Sequence, residues 1–190
     1  MTNTITLNPI SELKDEHQAV KLTLRILEKI SNKLTEGGKV DLEHLDELLE
    51  FLTTFVDKCH HGKEEDLLFP ALEKAGVLRE GGPIGVMLRE HDLGRGYIKG
   101  LRQGVSDLKN GKDKAVNLIV ENIQNYSELL TRHIDKEDHI LYPMAEQRFS
   151  YEQNDKLAKG FAEIEEKRVG PGKHEAFHQM LHHLQEVYLH

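Results

Sequence analysis

Two stretches of the chain place a histidine four residues ahead of a glutamate: His60 with Glu64, and His133 with Glu137. On a helix this spacing stacks imidazole and carboxylate on one face, which is a chelating arrangement for a cation. His61 and Glu65 repeat the spacing one residue on, so the surrounding stripe has to decide between the two pairs. The line Leu49, Leu52, Val56, His60, Glu64, Leu67 and Ala71 is apolar apart from the candidate pair. The line through Thr54, Asp57, Lys58, His61 and Glu65 is polar. His60 and Glu64 are therefore expected inside, and His61 and Glu65 in solvent. The second stretch agrees, with Ile119, Ile123, Tyr126, Leu130, His133, Glu137, Leu141 and Met144 on one stripe, and His139 off it beside Arg132 and Asp135. Two further histidines interrupt apolar stripes: His17 among Leu13, Val20 and Leu24, and His91 among Ile84, Met87, Leu88, Ile98 and Leu101. A buried, unpaired glutamate is costly or takes up a proton. Four inward histidines with two inward glutamates are best explained by a bound cation. Nitrogen and carboxylate donors without thiolate suit iron or manganese, and zinc less specifically. One His-x-x-x-Glu alone is a weak signal, common on surface helices.

The recurrence of the pattern supplies the discrimination. His60-His61-Gly62-Lys63-Glu64-Glu65-Asp66-Leu67-Leu68-Phe69-Pro70 returns 73 residues later as His133-Ile134-Asp135-Lys136-Glu137-Asp138-His139-Ile140-Leu141-Tyr142-Pro143. Upstream, Pro9, Ile10, Leu13, His17, Leu24 and Leu27 align at an offset of 74 with Pro83, Ile84, Met87, His91, Ile98 and Leu101.

The elements that must carry these residues are helical. Asn8-Pro9 reads as an N-cap followed by proline at the first helical position. Gly37-Gly38 ends that helix, and Asp41 caps a second running to about Ala75, stressed at Pro70. Gly81-Gly82-Pro83 opens a third, ending near Asn110-Gly111. A fourth runs from about Asp113 to Phe149, with Pro143 near its end. Ser150 caps a fifth, to about Arg168, and Gly170-Pro171-Gly172 precedes a sixth. Sustained period-2 alternation is missing, so no strands are expected. Each hairpin alone would leave an apolar face wet. The expected fold is therefore all-α: an up-down four-helix bundle of two repeated hairpins spanning residues 1–149. Residues 150–190 form an extension of two C-terminal helices, packed on the bundle or at an interface between copies.

The composition sets outer bounds. With 38% hydrophobic and 31% charged residues among 190, the chain has the balance of a globular protein. Its formal net charge of -8 disfavours nucleic acid as a partner. No apolar run approaches the roughly 20 residues needed to cross a bilayer, and Met1–Leu7 lacks the pattern of a secretory signal. One cysteine, Cys59, excludes an internal disulfide, and a reducing cytoplasm is the expected setting.

The order His, HxxxE, His, HxxxE, each HxxxE followed by an apolar-aromatic-proline ending, resembles the hemerythrin HHE cation-binding family over residues 8 to about 148. Glu64-Glu65-Asp66-Leu67-Leu68-Phe69-Pro70, Glu16-His17 and Glu90-His91 carry the resemblance. It implies that His17, His60, Glu64, His91, His133 and Glu137 are iron ligands, with the glutamates bridging two irons. It also implies a small diatomic or peroxide ligand, an electron-transfer partner, and a binding protein rather than an enzyme. Oxygen-carrying members have a fifth histidine one turn after the third, where this chain has Arg95. They also space the last carboxylate five residues from its histidine, against four here. Two six-coordinate metals offer about 12 positions. Four histidines, two bridging glutamates and a solvent bridge leave about two open. That count favours chemistry on O₂, NO or peroxide, or release of the metal, over reversible O₂ transport. Iron storage or donation and a structural metal scaffold are the competing functions.

Other features read as structural. Cys59 is expected as a small buried hydrophobe, and Tyr97, Tyr126 and Tyr142 as core residues, with Tyr126 also a candidate hydrogen-bond donor to a bound ligand. Gly96, Gly100 and Gly104 would allow a neighbouring helix to approach. His174, His178 and His182 are expected on a solvated face, while Phe177, Leu181, Leu184 and Tyr188 dock the last helix.

Overall fold

The computed structural model describes residues 8–112 and 114–190. The reading of Met1–Leu7, and of Asp113 as the start of the fourth helix, falls outside them. Every regular element among the described residues is a helix.

Helix α1 is Pro9–Thr35. The Asn8 side chain accepts a hydrogen bond from the Ile10 amide, and Pro9 fills the first turn, where its missing N–H is no loss. Gly37, at φ +77°, takes the left-handed conformation that ends it. Helix α2 covers residues 42–74 and is capped by the Asp41 carboxylate on the Glu43 amide. It starts as an α-helix over Leu42–Phe51, widens to π-winding over Leu52–His61 and Glu64–Leu68, and returns to α at Phe69–Lys74. Helix α3 is Pro83–Lys109. Helix α4, residues 115–148, repeats the design of α2: Ala115–Lys136, a π segment at Glu137–Leu141, then Tyr142–Arg148. In both helices the π segment starts at the glutamate of HxxxE or spans the motif, and ends just before the aromatic-proline pair. Proline has no N–H to continue an α-helical ladder, and π segments recur where side chains must be re-aimed at a site. Helix α5, Tyr151–Arg168, opens on a capping box between Ser150 and Gln153. Helix α6 is Lys173–Leu189.

Helix α4 lies against α3 and α1, and α2 lies against α3. The α3–α4 approach uses two of the three glycines: a Cβ on Gly100 would run into Asn122 and one on Gly104 would meet Ile119 at 2.8 Å, whereas Gly96 has nothing within 4 Å. Helix α6 docks within this chain, on α1 and α2, through Phe177, Leu181 and Leu184. Helix α5 crosses the π-wound part of α2 and touches α1. Contact is close there. A Cβ on Gly62 would run into the Arg168 guanidinium, and one on Gly160 would meet Leu67 at 2.7 Å. Apolar side chains form two clusters. The larger includes Leu24, Leu49, Phe51, Ile123 and Leu181; the smaller includes Ile10, Leu68, Ile84, Tyr142 and Phe161. His17, His60, Glu64, His91, His133 and Glu137 are buried but belong to neither cluster.

Candidate metal centre

His17, His60, His91 and His133 point inward from α1 to α4, and α2 and α4 each add a glutamate, all six within 2% of complete burial. His17 and His60 oppose their Nε2 atoms at 3.1 Å, and His91 and His133 do the same at 3.1 Å. Two ring nitrogens bound side by side to one cation, at about 2.0–2.1 Å each, stand about that far apart. Glu137 reaches both pairs: Oε2 lies 3.2 Å from His17 Nε2, and Oε1 lies 3.0 Å from His133 Nε2. Glu64 Oε2 is 3.4 Å from His91 Nε2 and 3.9 Å from His60 Nε2. Its other oxygen accepts a 2.7 Å hydrogen bond from the Tyr142 hydroxyl. Both Glu137 oxygens and Glu64 Oε2 are buried without a hydrogen-bond partner. Buried carboxylate oxygens are normally satisfied, so these orphaned atoms, aimed between two imidazole pairs, fit a metal pair.

Every one of the four histidines is oriented from behind. The Nδ1 of His17 meets Asp138 at 2.7 Å, that of His60 meets Glu16 at 2.7 Å, that of His91 meets Glu65 at 2.7 Å, and that of His133 meets Glu90 at 2.9 Å. A carboxylate that accepts the Nδ1 proton leaves the Nε2 lone pair for a metal. Each carboxylate is held by a cation: Asp138 by Lys21, Glu16 by Lys63, Glu65 by Arg95 and Glu90 by Lys136. Arg95, which stands where oxygen carriers have their fifth histidine, thus serves the outer layer. Sequence reasoning missed these four carboxylates as a layer, although the signal was present. An acidic residue precedes His17 and His91, and another follows Glu64 and Glu137.

Burial opposes charge on these histidines, but in the protein without metal the carboxylates outweigh it. The carboxylates of Asp138 and Glu137 beside it push His17 up to about 9, and those of Glu137 and Glu90 push His133 up to about 10. Glu137 is driven well below the usual carboxylate range despite its burial, by His133 and His17.

One expectation is overturned. His61 does not face water: it is 5% exposed and stacks on His91 with ring centroids 3.8 Å apart and planes 15° from parallel. A ring nitrogen of His61 lies within 4.8 Å of ligand atoms of Glu64, His91 and His133, so these four form one group able to hold a cation. His17, His60 and Glu137 form another. The stripe argument assumed about 100° of turn per residue. The π segment turns less per residue, so the neighbours His60 and His61 both point inward. Glu65 is one-quarter exposed and bound to His91 rather than solvated.

The remaining candidates behave as structure. Cys59 is fully buried, and burial pushes its thiol up to about 12, which leaves it inert. The third acidic group, Glu12, Glu16 and Glu165, already surrounds the Lys63 ammonium. The α6 histidines join no group of metal ligands among the described residues.

The model of the hemerythrin HHE cation-binding domain matches residues 8–145. This chain belongs to that family. Membership implies metal binding, and the paired histidine–glutamate clusters are able to provide it. Among curated relatives, the iron-sulfur cluster repair protein YtfE of Escherichia coli O157:H7 is 25% identical over 147 residues, covering 72% of this chain and 66% of that protein. The uncharacterized protein Rv1995 of Mycobacterium tuberculosis H37Rv is 23% identical over 159 residues, covering 84% of this chain and 62% of that one. The match thus spans less than two thirds of these relatives' own lengths. No solved structure matches the chain. No helix among the described residues is long and apolar enough to cross a membrane.

Proposed function

We propose that this hemerythrin-family chain is a non-haem di-iron protein that binds or reacts with O₂, NO or peroxide in sensing, detoxification or repair. The observation that carries the reading is Glu137, whose two orphaned oxygens face two different pairs of imidazole nitrogens. One iron would sit with His17 and His60, the other with His91 and His133, and Glu64 and Glu137 would bridge them. His61 would complete the second iron, supplying the fifth histidine from α2 instead of α3. With a solvent bridge, that fills about six positions on the second iron and about five on the first. A single open position remains, rather than the two expected from sequence. When bound, such an iron pair supplies a redox-active position for a small ligand. The protein's own residues exclude water and orient the imidazoles, whose Nδ1 protons are held by hydrogen bonds to the ionised outer carboxylates.

Under the same proposal, the described residues up to 149 are an up-down four-helix bundle and 150–190 an extension packed on it. The likeness to an iron-sulfur cluster repair protein favours repair among the three roles; an electron-transfer partner and a cytoplasmic setting are part of the same proposal. The test is metal analysis and absorption spectroscopy of anaerobically prepared protein, with O₂, NO and peroxide added in turn. Two irons per chain and a ligand-dependent near-ultraviolet band are expected. Tightly held, redox-silent zinc would defeat the reading in favour of a structural scaffold, and transfer of iron to an acceptor would favour storage or donation.

A further inference from the structure

Between the π-wound part of α2, α3 and α4 lies a partly open cavity of about 200 Å³. Leu52, Ile98 and the backbone of Gly94 form its apolar wall. Two buried side chains border it, and one has a charged neighbour of its own: the Asp57 carboxylate lies 3.5 Å from His61 Nδ1. His61 is 5% exposed, and its Nδ1 has no hydrogen bond. Tyr126 is 3% exposed and its hydroxyl makes no hydrogen bond among the described residues. Burying such groups unpaired is unfavourable, and a native protein retains them where something absent from the polypeptide satisfies them. Burial also raises the Tyr126 phenol above its ordinary value, so it stays protonated and able to donate.

The rim is cationic on a chain whose net charge is -8. It carries Arg95, Lys99 and Arg102 against one carboxylate, Asp57. Arg95 is committed to Asp57 at 2.8 Å, Glu65 at 2.7 Å and Asp92 at 3.0 Å. Arg102 donates to the Thr53 hydroxyl at 2.9 Å, and neither it nor Lys99 has a carboxylate at ion-pair distance among the described residues. Two rim cations without a carboxylate, beside an imidazole nitrogen and a hydroxyl that make no hydrogen bond, outweigh the single Asp57 carboxylate and describe a site for negative charge. At roughly 30 Å³ per water, the space holds an anion of a few atoms with its waters, and no nucleotide or sugar phosphate.

We infer that this cavity is a binding pocket for a small inorganic monoanion of about the size of nitrite. Arg102 and Lys99 draw it in, Tyr126 donates a hydrogen bond to it, and His61 stands between it and the metal centre. The pocket itself depends only on polypeptide geometry. Its coupling to the centre through His61 rests on the function proposed above.

The test is an NMR titration of the whole ¹⁵N-labelled protein with sodium nitrite, total salt held constant with sodium gluconate, run on metal-free and zinc-loaded samples. Saturable shifts are expected at the amides of Thr53, Gly94 and Arg102 in both samples. Tyr126→Phe should weaken the binding about tenfold, the gain typical of a hydrogen bond to a charged partner. Arg102→Gln with Lys99→Gln should weaken it severalfold, and more at low ionic strength. Urea, neutral and of similar size, should not saturate these signals. Shifts that grow linearly without saturation, that survive both sets of substitutions, or that urea reproduces would overturn the assignment. A protein that binds nitrite here but takes up no transition metal would retain the pocket and sink the metal reading instead.

Discussion

The two hairpins of this chain carry the same parts and use them differently. Position by position, His17 answers to His91, His60 to His133, Glu64 to Glu137, Glu16 to Glu90, Lys63 to Lys136, Glu65 to Asp138 and Lys21 to Arg95. The parts also cross over. Asp138 of the second hairpin orients His17 of the first, and Glu65 of the first orients His91 of the second. Neither half therefore completes a site alone, which couples docking of the hairpins to assembly of the centre. Three breaks in the correspondence make the halves unequal. His61 stands opposite Ile134, so the His91–His133 side gains a candidate ligand. Phe69, stacked on His91, stands opposite Tyr142, stacked on His17, so the His17–His60 side gains a hydroxyl. Lys63 is fully buried under α5, between Glu12, Glu16 and Glu165 and 5.7 Å from the Phe161 ring, while Lys136 is about one-third exposed. A duplicated scaffold thus presents two unequal sides.

The largest expected effect removes one donor from each half. His60→Ala with His133→Ala should abolish metal loading, read by elemental analysis, with far-ultraviolet helicity largely kept. Retained metal would refute the shared centre.

Next comes the unequal lysine pair. Lys63→Met strands the buried Glu16 carboxylate and should cost about 3–5 kcal/mol in urea unfolding, the range for breaking a buried ion pair from one side. Equal costs for Lys63→Met and Lys136→Met would show that α5 does not distinguish the halves.

His61→Ile makes the halves alike at that position and should weaken metal binding about 10- to 100-fold, on the scale seen when support of a metal site is lost. This replaces the expectation from sequence that His61 lies in solvent. An unchanged affinity would return His61 to a packing role.

Proton linkage tests the same comparison. Without metal, His17 and His133 titrate near 9 and 10, against about 6.5 in the unfolded chain. Their contribution to stability is complete below pH 6.5 and disappears as pH rises through 9 to 10. Metal requires neutral imidazoles, so loading at pH 7 should release about two protons, one from each half, measurable with an indicator dye. Loading without proton release would place the metal elsewhere.

The smallest effect is Lys136→Met, whose exposed position predicts about 0–1 kcal/mol in the same unfolding experiment.

Much of the candidate site is legible in the sequence. The 73- and 74-residue offsets name His17, His60, Glu64, His91, His133 and Glu137, and all six prove buried together. Caps at Asn8, Asp41 and Ser150 mark real helix starts, because capping is local chemistry. His61 was misread because periodicity presumes regular winding, and the π-turns that break it are held by tertiary packing.

The kinds of donor, their spacing and their duplication are properties of the sequence alone, since side-chain chemistry and helical pitch act over a few residues. Which carboxylate backs which histidine, which lysine is sealed by α5 and which way His61 turns were decided only in three dimensions. Those outcomes depend on contacts between helices as many as 121 residues apart, as from His17 to Asp138, and on a shift in helical winding that no local pattern encodes.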